Sequence, residues 1–208
     1  MSTSSVPAAV SEVPWQQLVN SSLKANKRLP YAKYVQLATV REDGRPANRT
    51  VVFRGFLWNT EKLTFVTDRR SSKINDISSN RWCEIAWYFP DSREQYRIQG
   101  TMALVHADEE DEKLARARAA AWRNLSGAGR AQFSWPHPGL PRPEPEDKSP
   151  YDVPCPSTDD PASSNFSLAV LDPSQVDYLH LKKNVRKLFR LSVDGAGARS
   201  WAEEELNP

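Results

Sequence analysis

The 208-residue chain contains neither a G-x-x-x-x-G-K-[ST] loop nor a G-x-G-x-x-G turn. The two commonest backbone cradles for nucleotide phosphates are therefore missing, and any phosphate has to be gripped mainly by side chains. Cysteine and histidine are scarce. Cys83 and Cys155 lack metal-ligand spacing, and His106, His137 and His180 are scattered, with no C-x-x-C or H-x-x-x-H, so a zinc site is not expected. Cys83 lies in an apolar run, where a reduced, buried thiol and hence a reducing compartment are expected.

The charge is nearly balanced at +2, which gives no electrostatic ground for a nucleic-acid or membrane-surface partner. RNA binding through Arg41, Arg45, Arg49 and Arg54 is weakly supported for the same reason. No apolar run reaches membrane-spanning length. Residues 1–13 are rich in Ser and Ala but lack both a signal-peptide core and the arginines of a transit peptide, and are expected to be a disordered leader. A cytoplasmic protein is expected, with plastid targeting as the alternative.

What is present is a core-forming composition: 39% apolar residues and seven Trp, enough for one sizeable domain over 14–208. Helical spacing of Trp15, Leu18, Val19 and Leu23 behind Pro14 predicts an opening helix to Lys27. Alternation predicts strands over 34–40, 50–56, 63–67, 83–89 and 95–105, with a hairpin turn over 42–46. A short helix is expected over 73–79. The acidic start, alanine-rich middle and basic end of 108–124 match the helix dipole and predict a second, longer helix. From about 139 to 164 the chain is rich in Pro, Asp and Ser, the composition of a mobile loop or lid. Strands are expected again over 165–171, 175–181 and 187–193, ahead of a polar tail. The class is α+β, mainly β: an antiparallel barrel with peripheral helices.

Two segments carry the chemistry. In Asn48-Arg49-Thr50-Val51-Val52-Phe53-Arg54, strand alternation puts Arg49, Val51 and Phe53 on one face and Thr50, Val52 and Arg54 on the other, so the two arginines serve different atoms. In Thr67-Asp68-Arg69-Arg70-Ser71-Ser72-Lys73 a strand runs into a helix start whose free amides, hydroxyls and ammonium would form an anion site. The bland alternative is a pair of exposed arginines flanking an amphipathic strand.

These motifs, with Tyr34-Val35-Gln36-Leu37-Ala38-Thr39, Trp87-Tyr88-Phe89, Glu94 to Gly100, Trp135-Pro136 and Val176-Asp177-Tyr178-Leu179, resemble the pyridoxamine 5′-phosphate oxidase family of FMN-binding split barrels, particularly its plant and cyanobacterial branch. The resemblance implies a homodimer with flavin between subunits, acting on a phosphorylated B6 vitamer and oxygen. It implies that Arg49, Ser72 and Lys73 hold the FMN phosphate, that Thr50, Val51, Val52, Val66 and Thr67 line the flavin, and that Gln95 and Arg186 also contact it. Arg54 stands where the family has a lysine near flavin and substrate.

The chain departs from the family at its C-terminal end. Lys182 and Asn184 occupy the positions of an Arg-x-His pair that holds substrate, and Leu179 replaces a tryptophan. Trp122, Arg123, Ser126 and Arg130 offer an alternative aromatic wall and phosphate ligands, or else a helix end with solvated arginines. Three functions follow as expectations: an oxidase making pyridoxal 5′-phosphate, an FMN oxidoreductase of another small substrate, and a non-catalytic binder of flavin, vitamer or haem. No general base is expected, because the flavin carries the redox chemistry.

Overall fold

The computed structural model describes residues 13–208 except Pro143 and Pro145. The expected leader lies almost wholly outside the described residues. Strands β1 (Tyr34–Val40), β2 (Pro46–Val52), β3 (Gly55–Phe56), β4 (Leu63–Asp68), β5 (Trp82–Phe89), β6 (Glu94–Val105) and β7 (Phe166–His180) hydrogen-bond in the order β2-β1-β5-β6-β7-β4-β3. Every pairing is antiparallel. The sheet curls until β2 approaches β4 without pairing to it, which leaves an open seam in a half-barrel. Beyond β7 the sheet continues through β8 (Val185–Val193) and β9 (Arg199–Leu206).

The barrel is filled by alternate residues of its strands. Val35, Leu37, Phe53, Phe65, Ile85, Trp87, Phe89, Tyr96 and Ile98 are buried together. Each large side chain contributes about 1.5–3 kcal/mol through its removal from water. Helix α1 (Pro14–Ala25) starts on Pro14 and drives Trp15 and Val19 into this core. There Trp15 meets Phe56 and Trp201 edge to face at 5.9 and 5.6 Å. Helix α3 (Glu112–Arg123) packs Ala117 against Leu57, Val105, Leu168 and Val170 on the outer side of the sheet. It is shorter than the 108–124 expected because Asp111 accepts from the amides of Lys113 and Leu114 and so sets its first turn.

The structure differs from the sequence reading in four further places. The second strand begins at Pro46 and stops before Phe53, because β1 offers partners from Val40 back to Tyr34. The two strands expected over 165–171 and 175–181 are one strand, β7, which runs through Pro173. A register shift at Gln99/Gly100 of β6 accommodates that proline, and Gly100 lets the Asp172–Pro173 backbone come close because it has no Cβ. The polar tail is in fact β9, held to β8 by backbone pairing and by Lys187–Glu203 and Arg190–Glu204 ion pairs, each at 2.6 Å. Its pattern is unreadable as a strand because only Trp201 and Leu206 are even half-buried. Finally, a short helix α4 (Gly127–Ala131) follows α3, with the Ser126 hydroxyl accepting from Gly129 N–H at its start.

Candidate active site

Arg49, on β2 opposite Leu37, turns inward with Ala47 and Val51. Its guanidinium donates to Thr39 Oγ1 at 2.6 Å, to the Leu37 carbonyl at 3.3 Å and to Asp76 Oδ2 at 3.0 Å. Asp76 comes from helix α2 (Lys73–Ser79) and also accepts from the buried Thr39 hydroxyl at 2.7 Å. The arginine is thereby fixed in direction.

Lys73 is held differently. Its ammonium donates to Thr67 Oγ1 at 3.1 Å and Ser71 Oγ at 2.8 Å, both neutral acceptors. Burial and the nearby Arg49 charge hold its pKa below the usual lysine value. An ammonium solvated by two hydroxyls and repelled by a guanidinium favours an incoming anion. The backbone contributes less than expected: the amides of Ser71, Ile74, Asn75 and Asp76 already donate to the carbonyls of Asp68, Ser71, Ser72 and Ser72.

Arg49, Thr50, Val51 and Val52 of β2 and Val66, Thr67 and Lys73 from the β4–α2 side line one cavity of about 510 Å³ along the open seam. Seven of the expected cofactor contacts therefore converge. The one carboxylate on its wall, Asp68, is paired by Arg70 at 2.7 Å, so the net charge facing the cavity is positive. The opposite wall was not legible in the sequence. It is Phe133, Trp135 and the 136–140 stretch, with Tyr151, so the Pro-rich segment forms part of the cavity itself. Arg70 ties it down through a 3.0 Å bond to the Trp135 carbonyl, and Trp135 meets Tyr151 edge to face at 5.5 Å.

Other expected contacts lie elsewhere. Ser72 opens onto a neighbouring cavity on the far side of Arg49, and it is Ser71 that meets Lys73. Gln95 and Arg186 flank Leu179 on adjacent strands, and neither lines the seam cavity. Gln95 pairs with Tyr88 of β5, which is separated from β2 by β1. Three strand spacings, roughly 14 Å around the barrel, thus intervene. Arg186 grips Asp177 through two bonds at 3.0 and 2.8 Å. Lys182 is exposed and donates to the Asp91 carbonyl at 2.6 Å.

The structure ties much of the alternative substrate cluster after α3 into the fold. Trp122 is 2% exposed and packs edge to face on Phe133 and Phe166, so its ring belongs to the core. Arg130 is buried, donating to the carbonyls of Leu125 and Pro156, and Ser126 caps α4. These side chains staple the α3–α4 corner. Arg54 is different: it lines a second cavity, of about 520 Å³, that shares Leu125 with the first.

Residues 12–106 match the model of the pyridoxamine 5′-phosphate oxidase FMN-binding domain. The chain is 38% identical over 198 residues to pyridoxine/pyridoxamine 5′-phosphate oxidase 2 of Arabidopsis thaliana, covering 94% of this chain and 97% of that protein. A pyridoxamine 5′-phosphate oxidase-related, FMN-binding protein of Nostoc punctiforme superposes with a TM-score of 0.87 at 43% identity, covering 95% of this chain and all of that one. PhzG of Burkholderia lata, at 20% identity and TM-score 0.71, shares the fold. The chain belongs to the FMN-binding pyridoxamine 5′-phosphate oxidase family, with the split-barrel architecture expected of it. Its cofactor is FMN. No described helix is long and apolar enough to cross a membrane.

Proposed function

We propose that the protein is an FMN-dependent oxidase of pyridoxamine or pyridoxine 5′-phosphate, with oxygen as acceptor. The observation that carries this reading is the paired grip of Arg49 and Lys73 at one end of a cavity whose flanks are apolar. That donor set fits a terminal phosphate, and Val51, Val52, Val66 and Phe133 fit a planar ring system. When bound, the isoalloxazine supplies the redox chemistry by accepting a hydride equivalent from the carbon that becomes the aldehyde, and oxygen takes up the electrons as peroxide.

The chain's own part is positional. Arg49 and Lys73 would fix the phosphate end, the β2 and β4 valines would exclude water from the ring, and Arg54 would orient the substrate's anionic end from the adjoining cavity. Gln95, Arg186 and Lys182, on another side of the barrel, would serve the flavin and substrate of a second copy of the chain in a twofold dimer.

A second reading, an FMN oxidoreductase of another small anion, is favoured by one observation: the helix-borne Trp122 and Arg130 are tied into the core. The test is direct. Purified protein should show a flavin spectrum and form pyridoxal 5′-phosphate and peroxide from pyridoxamine 5′-phosphate. Lys182→Ala should retain the flavin and raise the vitamer KM. Fully loaded protein with no turnover of either vitamer phosphate would transfer the assignment to the second reading.

A further inference from the structure

Asp177 lies in β7 with β6 on one side and β8 on the other, opposite Arg97 and Leu188. Tyr96, Val176, Tyr178 and Phe189 are buried in the barrel core, so the alternate residues Gln95, Arg97, Asp177, Leu179, Arg186 and Leu188 share the opposite face of the sheet. On that face the Asp177 side chain is only 7% exposed, covered by two arginines. Arg186 grips it side-on: Nε donates to Oδ1 at 3.0 Å and Nη2 to Oδ2 at 2.8 Å. Arg97 adds a third bond, from Nη2 to Oδ2 at 2.6 Å.

A single arginine paired in this way with a carboxylate would be neutralised. Here two guanidiniums share one carboxylate, so the trio carries a net positive charge. The Arg186 bonds hold the Asp177 carboxyl below the usual carboxylate range; burial opposes them and the Arg97 bond adds to them. The side-on grip also fixes the plane of the Arg186 fork, while its Nη1 corner has no partner among the described residues. A residue whose backbone is pinned between two strands therefore dictates where that corner points.

We propose that Asp177 is a positioning residue for the flavin: it aims the free corner of Arg186 at the FMN of a second copy of the chain, and Arg97 keeps the group cationic. This rests on the reading that Gln95 and Arg186 serve the flavin of a twofold partner. Gln95 and Arg186 are the two cross-strand neighbours of Leu179, so a ligand lying across Leu179 meets both. The physical gain is preorganisation. A free arginine side chain has to be ordered when it binds, and this carboxylate has ordered it in advance.

The test is FMN release from the loaded protein on dilution, followed by flavin fluorescence, in single and double variants. Charge and aim predict opposite signs for Asp177→Asn. Removing a carboxylate makes the face more positive and would tighten an anion, whereas loss of aim weakens it. Asp177→Asn is expected to weaken FMN about fivefold and Arg186→Gln about tenfold, the effect of losing one charge-assisted contact at a partly exposed site. In the Arg186→Gln background Asp177→Asn should add nothing, because its route runs through Arg186; a structural defect would act equally in both backgrounds. Arg186→Lys, which keeps the charge but not the fork, should lose nearly as much as Arg186→Gln. Unchanged or tighter FMN in Asp177→Asn, additive losses in the double variant, or full retention in Arg186→Lys overturns the positioning role. Unchanged FMN in Arg186→Gln overturns the placement of Arg186 beside the flavin, and the proposal with it. Weakening in Arg186→Gln without weakening in Asp177→Asn overturns the proposal alone. Release is measured without substrate, so a failure to oxidise either vitamer phosphate bears on the proposed activity and not on Asp177.

Discussion

Asp76 and Arg49 are joined at 3.0 Å across the α2–β2 gap, and the same carboxylate oxygen accepts from the Thr39 hydroxyl at 2.7 Å. This arrangement sets the aim of Arg49, the arginine proposed to hold the FMN phosphate, from a residue outside the seam cavity. Asp76→Ala would leave a buried hydroxyl without its acceptor and a partly buried guanidinium without its counterion, an expected loss of about 2 kcal/mol in stability. Urea unfolding measures it as a shift of midpoint with unchanged slope. Asp76→Asn, which keeps an acceptor for Thr39, should lose less; equal loss in both would show that the hydrogen bond is immaterial.

Arg49→Ala should purify without yellow colour yet remain folded, with FMN affinity reduced at least tenfold. Arg45→Ala is the matched control, since Arg45 lies outside the seam cavity and pairs with Asp43 on the surface. Retained flavin in Arg49→Ala would refute the phosphate assignment.

With Lys73 in the proposed phosphate grip, flavin affinity should depend on pH in a defined direction. Its ammonium is disfavoured in the folded protein by burial and by Arg49, so its folded pKa lies below the unfolded value of 10.5. Between those two values the unfolded chain holds more protons, so stability without flavin rises with pH across that window. A bound phosphate favours the ammonium, so FMN affinity should fall as pH rises through the same window. Fluorescence titration of FMN from pH 7 to pH 10 should show this loss, and Lys73→Arg should abolish it because arginine stays charged. A flat profile in the wild type would remove Lys73 from the phosphate site.

The two thiols should differ sharply in reactivity. Burial pushes Cys83 up to about 12, whereas Cys155 is exposed. One equivalent of thiol is expected to react with a disulfide reagent at pH 8 in native protein and two after denaturation, and Cys155→Ser should leave none accessible in the fold.

Gly100→Ala is expected to destabilise the barrel by about 3 kcal/mol, because a methyl group there would collide with the Asp172 carbonyl and the Pro173 backbone. A loss within experimental error would mean that the bulge can open without consequence.

The periodicity of β1, β4, β5 and β6 and the family membership were both legible in the chain itself, because strand alternation and a dense local motif are short-range properties. Continuity of β7 through Pro173 was not, since it depends on Gly100 of another strand yielding space. Nor was β9, whose side chains carry little burial pattern and whose existence rests on pairing with β8.

The same division runs through the site. Residue types and their spacing were enough to single out a candidate anion-binding strand and the turn that accompanies it, because those donors come from contiguous sequence. Only the folded chain decided that Trp122 and Arg130 serve the core and that Trp135 and Tyr151 wall the seam cavity. Each of these depends on which distant segments the curled sheet brings together and which donors the backbone has already claimed, and neither is written in local sequence.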